Sequence, residues 1–387
     1  MARPALRIAV VHSYYSATQP SGENAVVGSE VAALRRAGHE VELIAERTDE
    51  SERSFSYPIA AAARVATGRG RSPVRQIDAF SPDVVHVHNL FPNFGRRWAG
   101  ALDRPLVVTI HNYRSLCVSA NLFRDGRVCT RCPDGDRFAG VRYGCYRGSR
   151  LASIPQAWAN RRGLDADPLL SRADRVVVLS EVAADMYARA GLDRARMVVS
   201  PNFLPQELDP GPPNGTTPRD GWLYVGRFAP EKGIVRLLES WPPHRPLRVV
   251  GTGPDERDVA RLARGRVELL GRLDRANVLA LMRSSIGLVF PSQWFEAFPV
   301  VYAEALAASL PVLAWEPSVV ARLVTDDRTG WATSWTDDLD RTLARAEQRF
   351  PSIQEHCRRR FEQHYSEAAY LDRVDRLYKP LIEDHAE

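Results

Sequence analysis

Glu296 and Glu304 stand eight positions apart in Phe290-Pro-Ser-Gln-Trp-Phe-Glu-Ala-Phe-Pro-Val-Val-Tyr-Ala-Glu-Ala-Leu306, which leads from a buried apolar run into a helix. Carboxylates so placed accept hydrogen bonds from sugar and ribose hydroxyls, and the nearby helix N-terminus attracts a phosphate. Taken alone, the pair has a plainer reading as acidic partners of the helix dipole. A second segment, Val225-Gly-Arg-Phe-Ala-Pro-Glu-Lys-Gly-Ile234, supplies cations. Arg227 and Lys232 can both reach a diphosphate, and positive charge there assists a leaving group that gains negative charge in the transition state. Lys232 is conspicuous because Lys232 and Lys379 are the only lysines among 52 basic residues. An ammonium kept against such an arginine bias points to a point-charge role.

Such residues need a scaffold. The 387 residues suit two domains of ordinary size. Short Val, Ile and Leu runs alternate with amphipathic stretches, the pattern of strands buried on both faces with crossover helices. The first half predicts strands at Leu6–Val11, Val41–Ala45, Val84–Val87, Leu106–Ile110, Arg175–Leu179 and Met197–Val199. The second predicts Trp222–Val225, Leu247–Val250, Val267–Leu269, Ile286–Val289 and Val312–Ala314. Pro201 to Gly215 is too rich in proline and glycine for helix or central strand and reads as the linker. The expected domains are 1–203, 204–360 and a C-terminal helix from 361 that crosses back towards the first.

The net charge of +5 is too small and too dispersed to name a nucleic acid as partner. No apolar run is long enough for a membrane span or a signal-peptide core, so a cytoplasmic protein with reduced cysteines is expected.

Several segments together resemble the family 4 retaining glycosyltransferases of the GT-B fold. They include Ser21-Gly-Glu-Asn24, Ala37-Gly-His-Glu-Val41, Asp83-Val-Val-His-Val-His-Asn89, Thr109-Ile-His-Asn112 and Ala173-Asp-Arg-Val-Val-Val-Leu-Ser180. The Gly226 to Gly233 loop, Val250-Gly-Thr-Gly-Pro254 and the Glu296/Glu304 segment continue the series. The resemblance implies an α/β chain of two facing Rossmann-like domains with parallel sheets, an interdomain cleft, and the donor held by the C-terminal domain. It implies a metal-independent hexosyltransferase, with a nucleotide-diphosphate sugar as co-substrate and a glycan, glycolipid or small-molecule hydroxyl as acceptor. Transfer would keep the anomeric configuration, with attack from the face the nucleotide leaves.

On that reading Arg227 and Lys232 contact the diphosphate, Glu304 the ribose and Glu296 the transferred sugar, with His111 near the sugar from the other domain. Gly22, Gly251, Gly253 and Phe298 complete the donor set, the glycines by allowing close backbone approach. Pro299 and Ser309 depart from the family pattern, standing where many relatives have glycine. Pro299 removes an N–H and implies a specificity difference, while Ser309 is expected to affect packing.

Cys117, Cys129, Cys132 and Cys145 crowd into an insertion at about 113–150. A structural zinc, unliganded thiols and a disulfide all remain open for them. Asp134-Gly-Asp136 and Asp165-Ala-Asp167 offer Asp-x-Asp pairs but read as solvated turns, so no catalytic metal is expected. Arg142, Arg147, Arg150, Arg161 and Arg162, interleaved with Tyr143, Tyr146, Leu151, Ile154 and Trp158, form either a solvated arginine face or a surface for anionic lipid headgroups at the inner membrane face or for a lipid-linked diphosphate acceptor.

A nucleotide-sugar epimerase of the same architecture and a non-catalytic nucleotide-sugar-binding subunit are the alternatives. A dinucleotide-dependent dehydrogenase is disfavoured, because no Gly-x-Gly-x-x-Gly follows the first strand.

Overall fold

A computed structural model describes residues 5–14, 22–51, 55–212 and 218–386. They divide into two compact units: Met1–Leu122, Cys129–Pro201 and Tyr370–Glu387 in the first, Phe123–Val128 and Asn202–Ala369 in the second.

The first unit holds a six-stranded parallel sheet of β1 (Arg7–Tyr14), β2 (Glu40–Arg47), β3 (Val84–Asn89), β4 (Leu106–Ile110), β5 (Arg175–Val178) and β6 (Met197–Val199), ordered β2-β1-β3-β4-β5-β6. Its central strands are apolar nearly throughout. Ile8 to Val11 and Val84, Val85 and Val87 are at most 1% exposed, which is what helices on both faces require. The chain winds outward in both directions from β1 and β3, so the carboxyl ends of those strands flank a topological switch point.

The second unit holds β7 (Trp222–Val225), β8 (Leu247–Val250), β9 (Val267–Gly271), β10 (Gly287–Phe290), β11 (Val312–Trp315) and β12 (Gly330–Thr333), all parallel and ordered β9-β8-β7-β10-β11-β12. That is the doubly wound dinucleotide-fold order, with its switch point between β7 and β10. Trp222, Leu237, Leu247, Val249 and Phe350 are fully buried at its core. Gly287 opens β10 because a Cβ there would lie 2.5 Å from the Trp222 ring. The Trp222 indole N–H donates to Glu347 Oε1 at 2.9 Å, so the buried ring keeps its polar atom satisfied.

All eleven expected strands are present. Sequence reading missed β12, whose Gly-Trp-Ala-Thr carries no aliphatic run, and the small hairpin of Phe123–Arg124 and Arg127–Val128. The expected continuous helix from Phe361 is interrupted: one helix ends at His364 and the next runs Glu367–Ala386, with the Ser366 hydroxyl receiving the Ala369 N–H as a cap. The proline-rich stretch holds no α-helix or strand over its described part, only a 3-10 turn at Gln206–Leu208 and a single bridge from Leu204 to Ser366, and 213–215 lie outside the described residues. No described helix is long and apolar enough to cross a membrane.

Candidate functional site

In the second unit the switch point lies between two loops. One follows β7 and carries Arg227 and Lys232; the other follows β10 and carries Glu296. The Lys232 ammonium lies 2.6 Å from Glu296 Oε1. The same oxygen accepts the Ser292 hydroxyl at 2.8 Å and the Trp294 indole N–H at 3.0 Å. Lys232 also stands 5.5 Å from the centroid of the Trp294 ring. Three donors on one oxygen fix a carboxylate that is 6% exposed and leave Oε2 for a ligand.

Arg227 extends from the neighbouring turn, its side chain 64% exposed, with its guanidinium 2.8 Å from Glu231 Oε1. An exposed pair of this kind adds little stability and is easily exchanged for an anionic ligand. Tyr224, buried on β7, links the charges. Burial first, and then the fields of Glu296, Glu231 and Asp255, push its phenol far above its usual value, with Arg227 opposing.

Glu304 lies in the helix Val300–Ala307 and is 8% exposed. Arg275, at the start of a different helix, holds Glu304 Oε1 at 2.5 Å. Arg275 was not legible as a partner of Glu304 because 29 positions separate them, whereas Ser292 and Trp294 lie in the same segment, four and two positions from Glu296, and were passed over.

Gly251 and Gly253 are places of close backbone approach. A Cβ on Gly251, at φ +147°, would lie 1.9 Å from the Gly226 carbonyl oxygen, and one on Gly253 would lie 2.3 Å from that of Phe228. These positions are glycine so that the loop after β8 can pack on the basic loop after β7. Gly22 is the first residue of the helix Gly22–Arg36 rather than part of a loop, and Ser21 lies outside the described residues. The Phe298 ring stacks on Tyr365 at 5.5 Å and meets Tyr302 edge-on at 6.1 Å, while its carbonyl accepts from Asn202. Its side chain packs in an aromatic cluster and is 6% exposed. Pro299 occupies the helix N-cap position, where a missing N–H is easily tolerated. Ser309 adopts φ +55° and its buried hydroxyl has no partner among the described residues, so this departure from glycine costs backbone strain as well as packing.

In the first unit His111 follows β4, and its Nε2 lies 2.9 Å from Nδ1 of His88. Burial, and then His12 and His86, lower its pKa to about 3. A neutral imidazole offers one N–H donor and one acceptor nitrogen, so His111 is suited to hydrogen bonding and not to acting as a cationic acid at neutral pH. His86 is fixed between the Tyr378 hydroxyl at 2.6 Å and the Thr109 hydroxyl at 2.7 Å.

A cavity of about 120 Å³ beside His111 is also lined by Glu23, Asn89, Asn112 and Arg114. Burial raises the Glu23 carboxyl to about 7, against Arg114 and hydrogen bonds from Asn112 and Asn89. Two buried guanidinium nitrogens of Arg114, Nε and one terminal nitrogen, have no hydrogen-bond partner among the described residues. Glu23 and Arg114 were not singled out from sequence, although Glu23 lies inside a motif that carries the family resemblance.

All five cysteines are free thiols. Burial first, and then the other thiols of the insertion, raise Cys132 to about 11. Among the described residues the one trio of possible ligands within 4.8 Å of one another is Glu30, His86 and His88. Asp167 is not a solvated turn residue: it accepts the Leu169 and Leu170 N–H groups as a helix cap, pairs with Arg96 and is 9% exposed.

Two family models cover the chain, "Glycosyl transferase 4-like domain" over residues 21–202 and "Glycosyl transferases group 1" over 216–362. The chain is 25% identical to a phosphatidyl-myo-inositol mannosyltransferase of Mycolicibacterium smegmatis, over 84% of this chain and 80% of that protein. It is 26% identical to an exopolysaccharide phosphotransferase of Streptomyces coelicolor over 72% of this chain, a match that spans only 30% of that longer protein. Its fold matches a sucrose-phosphate synthase structure from Thermosynechococcus elongatus with a TM-score of 0.63 at 19% identity, covering 98% of this chain and 100% of the other. With two parallel doubly wound sheets and both family models in order along it, the chain belongs to the family 4-like glycosyltransferases of the GT-B fold.

Proposed function

We propose that this glycosyltransferase moves a hexose from a nucleotide-diphosphate sugar to a hydroxyl of a lipid-linked or glycan acceptor, with retention and without a catalytic metal. The observation that carries the donor reading is the cluster of Lys232, Ser292 and Trp294 on one oxygen of Glu296, with the exposed Arg227 on the adjoining loop. Lys232 and Arg227 neutralise the departing diphosphate and supply the positive charge for which other transferases use a divalent ion. Glu296 Oε2 orients the sugar by accepting a hydroxyl hydrogen, and the free oxygen of Glu304 does the same for the ribose. A carboxylate whose charge is spread over three donors is a poor nucleophile, which favours same-face attack over a covalent sugar intermediate.

For the acceptor, the support is the His111 cavity, with two Arg114 N–H groups left for an anion and the Glu23 carboxyl in its wall. The name of the mycobacterial relative, with its phosphatidylinositol acceptor, points the same way.

The test is to incubate purified protein with a panel of nucleotide sugars, follow thermal stabilisation, and assign the product's anomeric configuration by NMR. A ligand at 100 times its Kd adds roughly 2.7 kcal/mol, enough to see. Absence of stabilisation by every nucleotide and nucleotide sugar overturns the donor reading, and an inverted product overturns retention. Product formed from donor alone would assign an epimerase instead.

A further inference from the structure

The helix Arg150–Asn160 in the first unit is built inside out. Its buried residues are Ser153, Gln156, Ala157 and Asn160, and the Gln156 and Asn160 amides donate to the Arg114 carbonyl. Its apolar residues face water: Leu151 is 79% exposed, Ile154 43% and Trp158 47%. The spacing of three and then four places them on one helical face. Phe138 and Tyr143, from the chain just before this helix, are also exposed, at 45% and 39%. Among the described residues only one large apolar side chain of the second unit, Leu269, is exposed to a comparable degree. A stripe of this kind costs solubility unless something covers it.

Beside Trp158 opens a cavity of about 330 Å³ lined by Arg69, Arg96, Arg97, Arg161 and Arg162, with no acidic residue in its wall. Arg96 is tied to Asp167, Arg97 donates to the Thr67 carbonyl, and Arg161 lies 3.9 Å above the Trp158 ring. The side chains of Arg69 and Arg162 have no partner among the described residues. Planar guanidinium groups around an acid-free hollow are suited to phosphate oxygens.

We propose that this face docks on an anionic phospholipid bilayer, with Leu151 and Ile154 entering the acyl boundary, Trp158 at headgroup depth, and the arginine hollow receiving a lipid phosphate. The occupant follows from the combination. An apolar stripe one helix face wide, bordered by unpaired guanidiniums, matches the layered chemistry of a bilayer surface. The inference uses no donor-site residue, so it stands or falls apart from the transferase reading.

The test is co-sedimentation of the full chain with phosphatidylcholine vesicles, with and without phosphatidylglycerol, at low and high salt. Wild-type protein is expected to pellet with the anionic vesicles at low salt and to be released by high salt. The double variant Arg69→Glu/Arg162→Glu is expected to lose at least about tenfold in vesicle affinity. Leu151→Asp and Trp158→Ala are each expected to weaken binding severalfold, all with unchanged circular dichroism. Failure of the wild type to bind anionic vesicles overturns the proposal. So does equal binding by the variants, or a wild-type dimer, seen by sedimentation equilibrium, that Leu151→Asp dissolves. Inorganic phosphate binding in the hollow without any vesicle binding overturns it too.

Discussion

The ammonium of Lys232 and the carboxylate of Glu296 meet at 2.6 Å although 64 residues separate them in the chain. Lys232→Ala removes the cation proposed to face the leaving group and one of three donors on Glu296. kcat is expected to fall at least about 100-fold while Ser292 and Trp294 keep the loop in place. Lys232→Arg is expected to rescue poorly, because a planar fork does not fit a site shaped around a point charge. Steady-state kinetics with a thermal melt of each variant checks both points; full activity of Lys232→Ala would remove the basis of the donor site.

In the proposed donor site Arg275 acts through Glu304, whose Oε1 it holds at 2.5 Å. Arg275→Ala is expected to raise the nucleotide Kd by about 10- to 100-fold, the worth of one charge-assisted hydrogen bond, with a smaller effect on kcat. Titration calorimetry with the nucleoside diphosphate alone separates the two effects. A fall in kcat at unchanged Kd would mean that Glu304 does not hold the nucleotide.

Glu23 is placed to titrate near neutrality, at about 7. If its carboxylate accepts a hydrogen bond from the acceptor hydroxyl, kcat/KM for the acceptor rises with pH to a plateau above about 7. Glu23→Gln is expected to lower the plateau and remove the step, while leaving donor binding unchanged. A wild-type profile flat across that range, or a step that persists in the variant, would exclude the role.

Glu30 sits 3.2 Å from His88, and burial raises its carboxyl to about 8, against Tyr370 and Arg373. The folded protein therefore keeps a proton that the unfolded chain releases near pH 4.5. The stability this gives is complete below 4.5 and is lost as pH rises to about 8. Glu30→Gln, permanently neutral, should gain on the wild type across that window by on the order of 2 to 5 kcal/mol and level off above it. His86 and His111, each lowered to about 3 by burial, work in the opposite sense, since their stability is present above 6.5 and lost as pH falls below it. Urea melts of both proteins from pH 5 to 9 test the Glu30 contribution, and parallel curves would refute it.

Ser309 carries a left-handed backbone and a buried hydroxyl without a partner among the described residues. Ser309→Gly relieves both and is expected to add about 1 kcal/mol of stability, read as a rise in Tm at unchanged activity. A loss of stability would show that the hydroxyl holds an ordered water.

How far the sequence could be read depended on whether a signal was local. Ile8 to Val11 and Val84 to Val87 declare buried strands because both faces are covered, leaving little polar alternation to blur the pattern. Gly330–Thr333 was invisible because Gly-Trp-Ala-Thr holds no run of Val, Ile or Leu. The cations and carboxylates of the donor loop were legible as residue types after strands, and Lys232 and Glu296 do come together. What could not be read was which atom each residue already spends on a neighbour. Arg275 on Glu304, the Gly226 and Phe228 carbonyls against Gly251 and Gly253, and Phe298 turned into an aromatic cluster all depend on chain segments far apart in sequence. The Ser366 cap that breaks the last helix was local, but one serine is a weak sign beside the helical pattern around it.

Scarcity of lysine gives the proposed donor site a chemical handle. With Lys232 and Lys379 the only side-chain amines, an amine-selective acylating reagent has two side-chain targets, and they differ. Lys379 is 42% exposed beside Asp375, whereas Lys232 is 23% exposed and held by Glu296. Peptide mapping after brief labelling would thus read occupancy of the anion pocket at one residue, with Lys379 as an internal standard in the same molecule.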